Sequence, residues 1–334
     1  MIETQSPAGV GDIDMLLMAY ATRTEDIMND VSSEDSLVSV IIPVFNRTDL
    51  LHRSLASVVA QEYQHIEVLV IDDCSTIDLR PVVDGFGDER IKYHRSNVNQ
   101  GPAGARNAGV RLARGEYIAF LDSDDEWKAN KVGAQLKGLS VKSSDYRFIY
   151  CMREQWRDDT DTIVDRSTYN KEGYILHDLL YYPFIGSPSS WFMQKSAFLE
   201  AGGFDERIWF GEDWEFTLRF NKTYKVACLD EPLVKLHEHG QERLTANLDS
   251  NPRVLSSFIT IYEKHKDLLK SDRKALALIL QKISYYLRQQ GDSKGARRYA
   301  WKAILARPTS RQPYQYLAAS FRPVPSPAVS GKNT

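Results

Sequence analysis

The run Leu37 to Val44 (LVSVIIPV) is apolar and largely β-branched, which predicts a strand buried on both faces. Polar residues follow. Leu51, Leu55, Val58 and Val59 then recur at helical spacing, with Thr48 or Asp49 as the cap. Val68 to Ile71 predicts a second buried strand ending in Asp72-Asp73, and Ile91 to His94 a short third. Gly101 to Ala113 reads as a helix with Gly115 as its C′ residue. Tyr117 to Leu121 is a further strand, ending in Asp122-Ser123-Asp124-Asp125. Strand and helix thus alternate to about residue 126, the pattern of a mainly parallel α/β sheet flanked by helices. Ligands of such sheets bind beyond the carboxyl ends of the strands. Asn46-Arg47, Asp72-Asp73 and the acidic run all stand at strand ends, so a shared sheet brings them to one rim.

Beyond Trp127 the alternation loosens. Arg147 to Cys151 and Ser190 to Gln194 predict strands, and Lys195 to Ala201 a short helix stopped at Gly202-Gly203. Glu212 to Phe220 predicts a helix after Gly211, followed by two short strands, Tyr224 to Leu229 and Leu233 to Leu236. From Pro252 the pattern is helical. Ile283 to Pro308, with Tyr286, Gly291, Ala296, Tyr299, Ala300, Ala303 and Pro308, resembles one tetratricopeptide-type hairpin. A single copy forms no solenoid, so it reads as a helical cap. Residues 1–36, rich in Asp, Glu, Ser and Thr, and residues 321–334, with three prolines, read as poorly ordered ends.

Composition narrows the class. At 334 residues, 43% hydrophobic and 26% charged, the chain is globular, with two domains or one large domain and an appendage. A net charge of −3 gives no reason to expect a nucleic-acid partner. Cys74, Cys151 and Cys228 are widely spaced and odd in number, which suggests reduced thiols rather than a disulfide framework or zinc pair. With no apolar stretch of about 20 residues and no secretory pattern at the N-terminus, the expected place is the cytoplasm. Peripheral contact at the inner face of a membrane stays open.

The acidic run is the strongest chemical signal. Three carboxylates in four residues repel one another unless a cation or solvent offsets them. A hard Mg²⁺ or Mn²⁺ takes oxygen ligands and bridges carboxylates to phosphates. The competing reading is a solvated turn with Asp124 or Asp125 capping a following helix. Asp72-Asp73 suits hydrogen bonds to a base or ribose, and equally a turn. The segment Asn99 to Gly109 is glycine-rich but matches neither dinucleotide nor P-loop fingerprints. Its Arg106 could meet a phosphate, or the glycines could serve only tight helix–sheet packing. Glu212-Asp213 at a helix start is a helix-dipole cap or a general base. In His237-Glu238-His239 the two imidazoles share one strand face, where either could complete a metal site.

Taken in order, SVIIPVFN (39–46), VIDDCS (70–75), Asn99 to Asn107, GEYIAFLDSDD (115–125), GGFDE (202–206) and GEDW (211–214) closely resemble the family 2 glycosyltransferases, over about residues 37–245. The resemblance implies a GT-A fold, a Rossmann-like mixed and mainly parallel sheet. It also implies inverting transfer from a nucleotide-diphosphate sugar, with UDP the first choice of nucleotide. Residues 37–126 would form the nucleotide-sugar half, 127–245 the acceptor half and 246–320 a helical appendage. By the same resemblance, Pro43, Phe45 and Asn46 line the base pocket, and Asp73, with Asp72 beside it, hydrogen-bonds the base. Gly101 and Arg106 approach the ribose or diphosphate. Asp122, Ser123 and Asp124 form the Asp-x-Asp element, with Asp124 the first choice of metal ligand and Asp122 beside it. Asp213 is the base, and His239 rather than His237 is a further metal or diphosphate contact. Phe45 replaces a common tyrosine, and Cys74 a common glycine or asparagine. The Gln-x-x-Arg-Trp motif of processive members is absent, which favours single additions. The expected acceptor is a glycan or lipid-linked saccharide of surface polysaccharide synthesis.

Two other readings share some of these features. A haloacid-dehalogenase-type phosphohydrolase also carries Asp-x-Asp after a strand, but on its first strand. A sugar-nucleotide-binding scaffold would need no second acidic motif. The loop from about Asp158 to Pro188 holds Tyr181, Tyr182, Phe184 and nearby Trp191, which suit either sugar stacking or core.

Overall fold

The computed structural model of the protein describes residues 35–238, 248–249 and 251–322. The expectations for 1–36 and 321–334 therefore fall almost wholly outside the described residues, and the one for His239 falls outside them entirely.

The first half follows the hydrophobic pattern closely. β1 (Val38–Val44) is buried along its whole length. α1 (Asp49–Val59) turns Leu51, Leu55 and Val58 inward. β2 (Ile66–Asp72) is again wholly buried. α2 (Arg80–Asp84), β3 (Ile91–Arg95), α3 (Gly101–Leu112) and β4 (Tyr117–Phe120) complete this half. The four strands are parallel, in the order β3-β2-β1-β4. A Cβ on Gly109 would stand 2.4 Å from Ile41 Cγ2, so only glycine lets α3 ride this close to β1. Gly115 departs from expectation. It is no left-handed helix stop but a close crossing of β1, where a Cβ would meet the Leu37 carbonyl oxygen at 2.5 Å.

The acidic run leads into a strand, not a helix, so the helix-cap reading of Asp124 and Asp125 falls. Asp125 opens β5 (Asp125–Trp127). There follow α4 (Lys131–Ser140), β6 (Tyr146–Arg157), β7 (Thr162–Arg166), α5 (Leu176–Leu179), β8 (Trp191–Gln194), α6 (Lys195–Glu200), α7 (Glu212–Phe220) and β9 (Lys225–Glu238). The whole sheet runs β3-β2-β1-β4-β8-β6-β9-β5, with β7 on β6. β8 is antiparallel to β4 and β6, β6 and β9 are parallel, and β5 is antiparallel to β9. The two short strands expected at 224–236 are one. β9 continues through Asp230-Glu231-Pro232 because its register against β6 steps from Cys151–Leu229 to Met152–Pro232, leaving the two acids as a bulge.

The appendage comprises α8 (Pro252–Lys264), α9 (Lys266–Ser271), α10 (Arg273–Gln289), α11 (Ser293–Ala306) and α12 (Arg311–Ala319). It shares a core with the second half of the sheet. One apolar cluster runs from Phe120, Trp191 and Phe216 through Ile208 and Trp214 to Phe258, Ile261 and Ile283. Among the described residues no helix is long and apolar enough to cross a membrane.

Candidate active site

Because β1, β2 and β4 are parallel neighbours, the chain leaves all three at the same rim. Pro43 is buried within β1, while Phe45, just past its end, is 43% exposed. Asn46 has φ 54°, which a short polar side chain tolerates. Its N–H donates to Ser75 Oγ at 2.9 Å. Its Oδ1 accepts from the Thr76 N–H at 2.7 Å and the Thr76 hydroxyl at 3.0 Å. Asn46 thus joins the turn after β1 to the turn after β2. Cys74, in that second turn, has φ 66°, a left-handed conformation that glycine or asparagine would adopt with less strain.

The two acids ending β2 face different ways. Asp72 is fully buried; its carboxylate accepts from the Ser75 N–H at 2.8 Å and from the Tyr93 hydroxyl. Asp73 Oδ1 and Oδ2 accept from the N–H groups of Gln100 and Gly101, each at 2.8 Å, so Asp73 anchors the start of α3. Burial pushes its carboxyl up against the pull of those two N–H groups. Both acids serve the architecture of the rim.

Two serines hold the acidic run in shape. Ser54 Oγ donates to the carbonyls of Asp125 (2.7 Å) and Asp122 (3.3 Å). Ser189 Oγ accepts from the Asp122 N–H at 3.0 Å and donates to Asp125 Oδ2 at 2.5 Å. Ser123 is buried among them. Asp124 Oδ2 lies 2.7 Å from Arg47 Nη1. Asp122 Oδ1 lies 2.6 Å from Arg106 Nη2, and Arg106 Nη1 lies 2.8 Å from Glu212 Oε1. The Arg106 side chain is 5% exposed. Burial opposes its charge, but Asp122 and Glu212 overcome this and hold the guanidinium well above its usual range. Arg106 therefore bridges the acidic run to the start of α7.

Asp213 occupies that start. Its Oδ1 accepts from the Trp214 N–H at 2.7 Å, and the Trp214 indole N–H donates to the Leu179 carbonyl at 2.6 Å. Its Oδ2 faces Gly186, where a Cβ would stand only 3.2 Å away. Arg153 Nη1 donates to the carbonyls of Gly186 (2.7 Å) and Phe184 (3.2 Å), which fixes that loop beside the carboxylate. Burial pushes the Asp213 carboxyl up; the Trp214 N–H and Arg106 oppose this, and Asp122 adds to it. Glu212 is raised for the same first reason, with Asp213 adding and Arg106 opposing. A raised carboxyl is a better proton acceptor, as a general base requires.

Of the remaining expected residues, Gly101 contributes its backbone N–H to Asp73. His237 has both ring nitrogens engaged by carboxylates, Nδ1 to Asp158 at 2.6 Å and Nε2 to Glu126 at 3.2 Å. Of the four aromatic residues at the loop, Trp191 and Phe184 are core, while Tyr182 is 51% exposed. Sequence reasoning missed Arg153, Ser54 and Ser189, whose roles depend on long-range approach and carry no local signal. Arg47 had one, as half of a polar pair at a strand end.

The donor set suits a hard cation. Asp122 and Asp124 offer oxygen ligands only, with side chains 25% and 19% exposed. Among the described residues no group of three or more His, Cys, Asp or Glu is placed to hold a metal.

The geometry has counterparts. Residues 39–201 match the family described as Glycosyl transferase family 2. The chain is 28% identical over 283 residues to the Escherichia coli (strain K12) protein named "Putative colanic acid biosynthesis glycosyl transferase WcaA", covering 80% of this chain and 92% of that one. It is 41% identical over 106 residues to the Escherichia coli protein named UDP-Glc:alpha-D-GlcNAc-diphosphoundecaprenol beta-1,3-glucosyltransferase WfaP, covering 32% of this chain and 42% of that one. This second match spans less than half of the relative. The fold is that of S. aureus TarS 1-349 in complex with UDP-GlcNAc, at TM-score 0.64 and 18% identity, over 85% of this chain and 90% of that one. Residues 39–201 form a glycosyl transferase family 2 domain, and the chain is a glycosyltransferase with the GT-A fold. The phosphohydrolase and scaffold readings end here.

Proposed function

We propose that the enzyme transfers one sugar per encounter, with inversion, from a UDP-sugar to a hydroxyl of a lipid-linked saccharide in surface-polysaccharide synthesis. One observation carries the reading: Arg106 bridges Asp122 at the donor rim to Glu212, next to Asp213 on the acceptor side. The donor and acceptor support comes from the name of the WfaP relative, which specifies UDP-Glc and a diphosphoundecaprenol-linked sugar for that protein.

In this reading Phe45 supplies a stacking face for the base at the end of β1. Asp122 and Asp124 would hold a Mg²⁺ or Mn²⁺, which would offset the charge of the departing diphosphate. Asp213 Oδ2 takes the proton of the acceptor hydroxyl as its oxygen attacks the anomeric carbon. The bond from that carbon to the diphosphate oxygen breaks with its electron pair, and UDP departs. One displacement from the opposite face inverts the carbon, with no covalent enzyme intermediate.

The test is a transfer assay with labelled UDP-sugars and a polyprenyl-diphosphate saccharide, paired with donor binding by thermal shift. Asp213→Asn should cut transfer by about 10²- to 10⁴-fold and leave the donor shift intact. Asp124→Ala should abolish the metal-dependent part of the donor shift. Undiminished transfer in Asp213→Asn would remove it from the role of base.

A further inference from the structure

Charge is unevenly distributed along this chain. Residues 252–322 carry fifteen lysines and arginines against four aspartates and glutamates, a net of +11 in a chain whose total is −3. From Ser293 to Arg322 there are seven basic residues and no acid.

α11 shows what this charge accompanies. Its inner face is Ala296, Tyr299, Ala300 and Ala303, packed into the appendage. Its outer face carries Lys294, Arg298 and Lys302, all exposed, with Trp301 (54% exposed) and Leu305 (75%) one turn apart among them. At 100° per residue, Lys294, Arg298, Trp301 and Leu305 fall within an arc of about 60°. Arg297 lies over the ring of Phe321, which is itself 68% exposed. Large apolar side chains in water, ringed by cations on a stretch of chain that carries no acid, match one kind of surface. Its phosphates attract the cations and its interface accepts the indole and the leucine.

We propose that the outer face of α11, with Phe321 beside it, docks on an anionic bilayer. The use of this docking rests on the lipid-linked acceptor proposed above; the binding itself does not. The appendage is joined to the acceptor side of the site through α8. The Ser257 hydroxyl on α8 accepts from the N–H groups of Trp209 (2.9 Å) and Phe210 (3.2 Å), directly before the turn that leads to Asp213. A membrane held by α11 is thereby tied to the acceptor side of the site.

The experiment sediments the full-length protein with vesicles of phosphatidylcholine, or of equimolar phosphatidylcholine and phosphatidylglycerol. Binding should be at least about tenfold stronger to the mixed vesicles and fall with salt. Arg298→Glu with Lys302→Glu should lower it about tenfold or more, and Trp301→Ser with Leu305→Ser should also weaken it. These positions are exposed, so the melting temperature and the donor thermal shift should not change. Transfer to a soluble saccharide should likewise be unaffected, while transfer to the vesicle-borne acceptor falls. Vesicle binding is read without any transfer, so a wrong donor or acceptor does not disturb it. Equal binding to both vesicles, or unchanged binding of both double variants, would overturn the proposal. So would a lipid-free dimer dissolved by Trp301→Ser with Leu305→Ser, which would assign the face to a second copy of the chain.

Discussion

The two halves of the sheet are built on different principles. In β1 to β4 every strand is parallel, and the acids sit where the strands end, so local sequence places the chemistry. In β5 to β9 the strands run both ways, and residues far apart in the chain meet: Arg153 with Gly186, Trp214 with Leu179, His237 with Glu126. The first half makes a rim by repetition; the second makes a wall by long-range contact. The β4–β8 pairing makes them one sheet, and at the site Arg106 links them, a buried cation between a carboxylate of each half.

Removing that cation should have the largest effect. Arg106→Gln leaves the buried Glu212 and the partly exposed Asp122 without their counter-charge, at a cost of about 3–5 kcal/mol in urea unfolding, most of it from Glu212. The double variant Arg106→Gln with Glu212→Gln should lose less than the sum of the two single losses, because the second change removes a charge the first left unpaired. Arg106 also lowers the Asp213 carboxyl. Without it, the acid limb of the pH–transfer profile should move to higher pH, which a purely structural arginine would not cause. Additive losses with an unmoved acid limb would separate the two halves and break the comparison.

The same contrast governs what was legible in advance. The strands at Leu37, Val68 and Tyr117 announce themselves because burial on both faces demands continuous apolar runs. β9 was divided because Asp230-Glu231-Pro232 looks like a turn, and only its pairing with β6 shows a bulge. The strand expected at Arg147–Cys151 runs on to Arg157 as β6, an extension with no local signal because it depends on β7 and β9 flanking it. At the site, motif order pointed to the acids but not to their present engagements. Asp73 was expected to face a nucleobase, and its carboxylate caps the entry to α3; Arg106 was expected near a diphosphate, and both its η nitrogens meet carboxylates. Motifs mark positions, while the partners depend on which backbone N–H and which cation the fold delivers there.

An intermediate effect is expected where the second half meets the appendage. Glu215 on α7 is fully buried, with Oε1 2.8 Å from Arg219, 3.0 Å from Lys264 and 3.0 Å from His265. Burial alone would raise its carboxyl, but these partners bring it down to about 2 from an ordinary 4.5. The unfolded carboxylate thus takes up its proton before the native one does. The stabilisation is whole above pH 4.5 and is lost as pH falls toward 2, and it amounts to about 3 kcal/mol at neutral pH. Glu215→Gln should lose about that much at pH 7 and show a flatter stability curve between pH 4.5 and 2 than the parent. Parallel curves for the two proteins would mean that the appendage is held by its apolar core alone.

The smallest effect should fall on the acceptor wall. Tyr182 is 51% exposed, and its ring centroid lies 5.6 Å from that of Tyr169, itself half exposed. Two residues later the chain reaches Phe184 and then Gly186, whose carbonyls Arg153 holds beside Asp213. An exposed aromatic pair on a loop fixed next to the proposed base is placed to stack on an acceptor sugar. One ring of this kind is worth about 0.5–1.5 kcal/mol. Tyr182→Ala should therefore raise KM for the acceptor by roughly two- to tenfold, with kcat and the donor KM nearly unchanged, because the ring binds ground state and transition state alike. If the donor KM rose instead, the loop would belong to the first half of the molecule, and the boundary between rim and wall would have to be drawn beyond it.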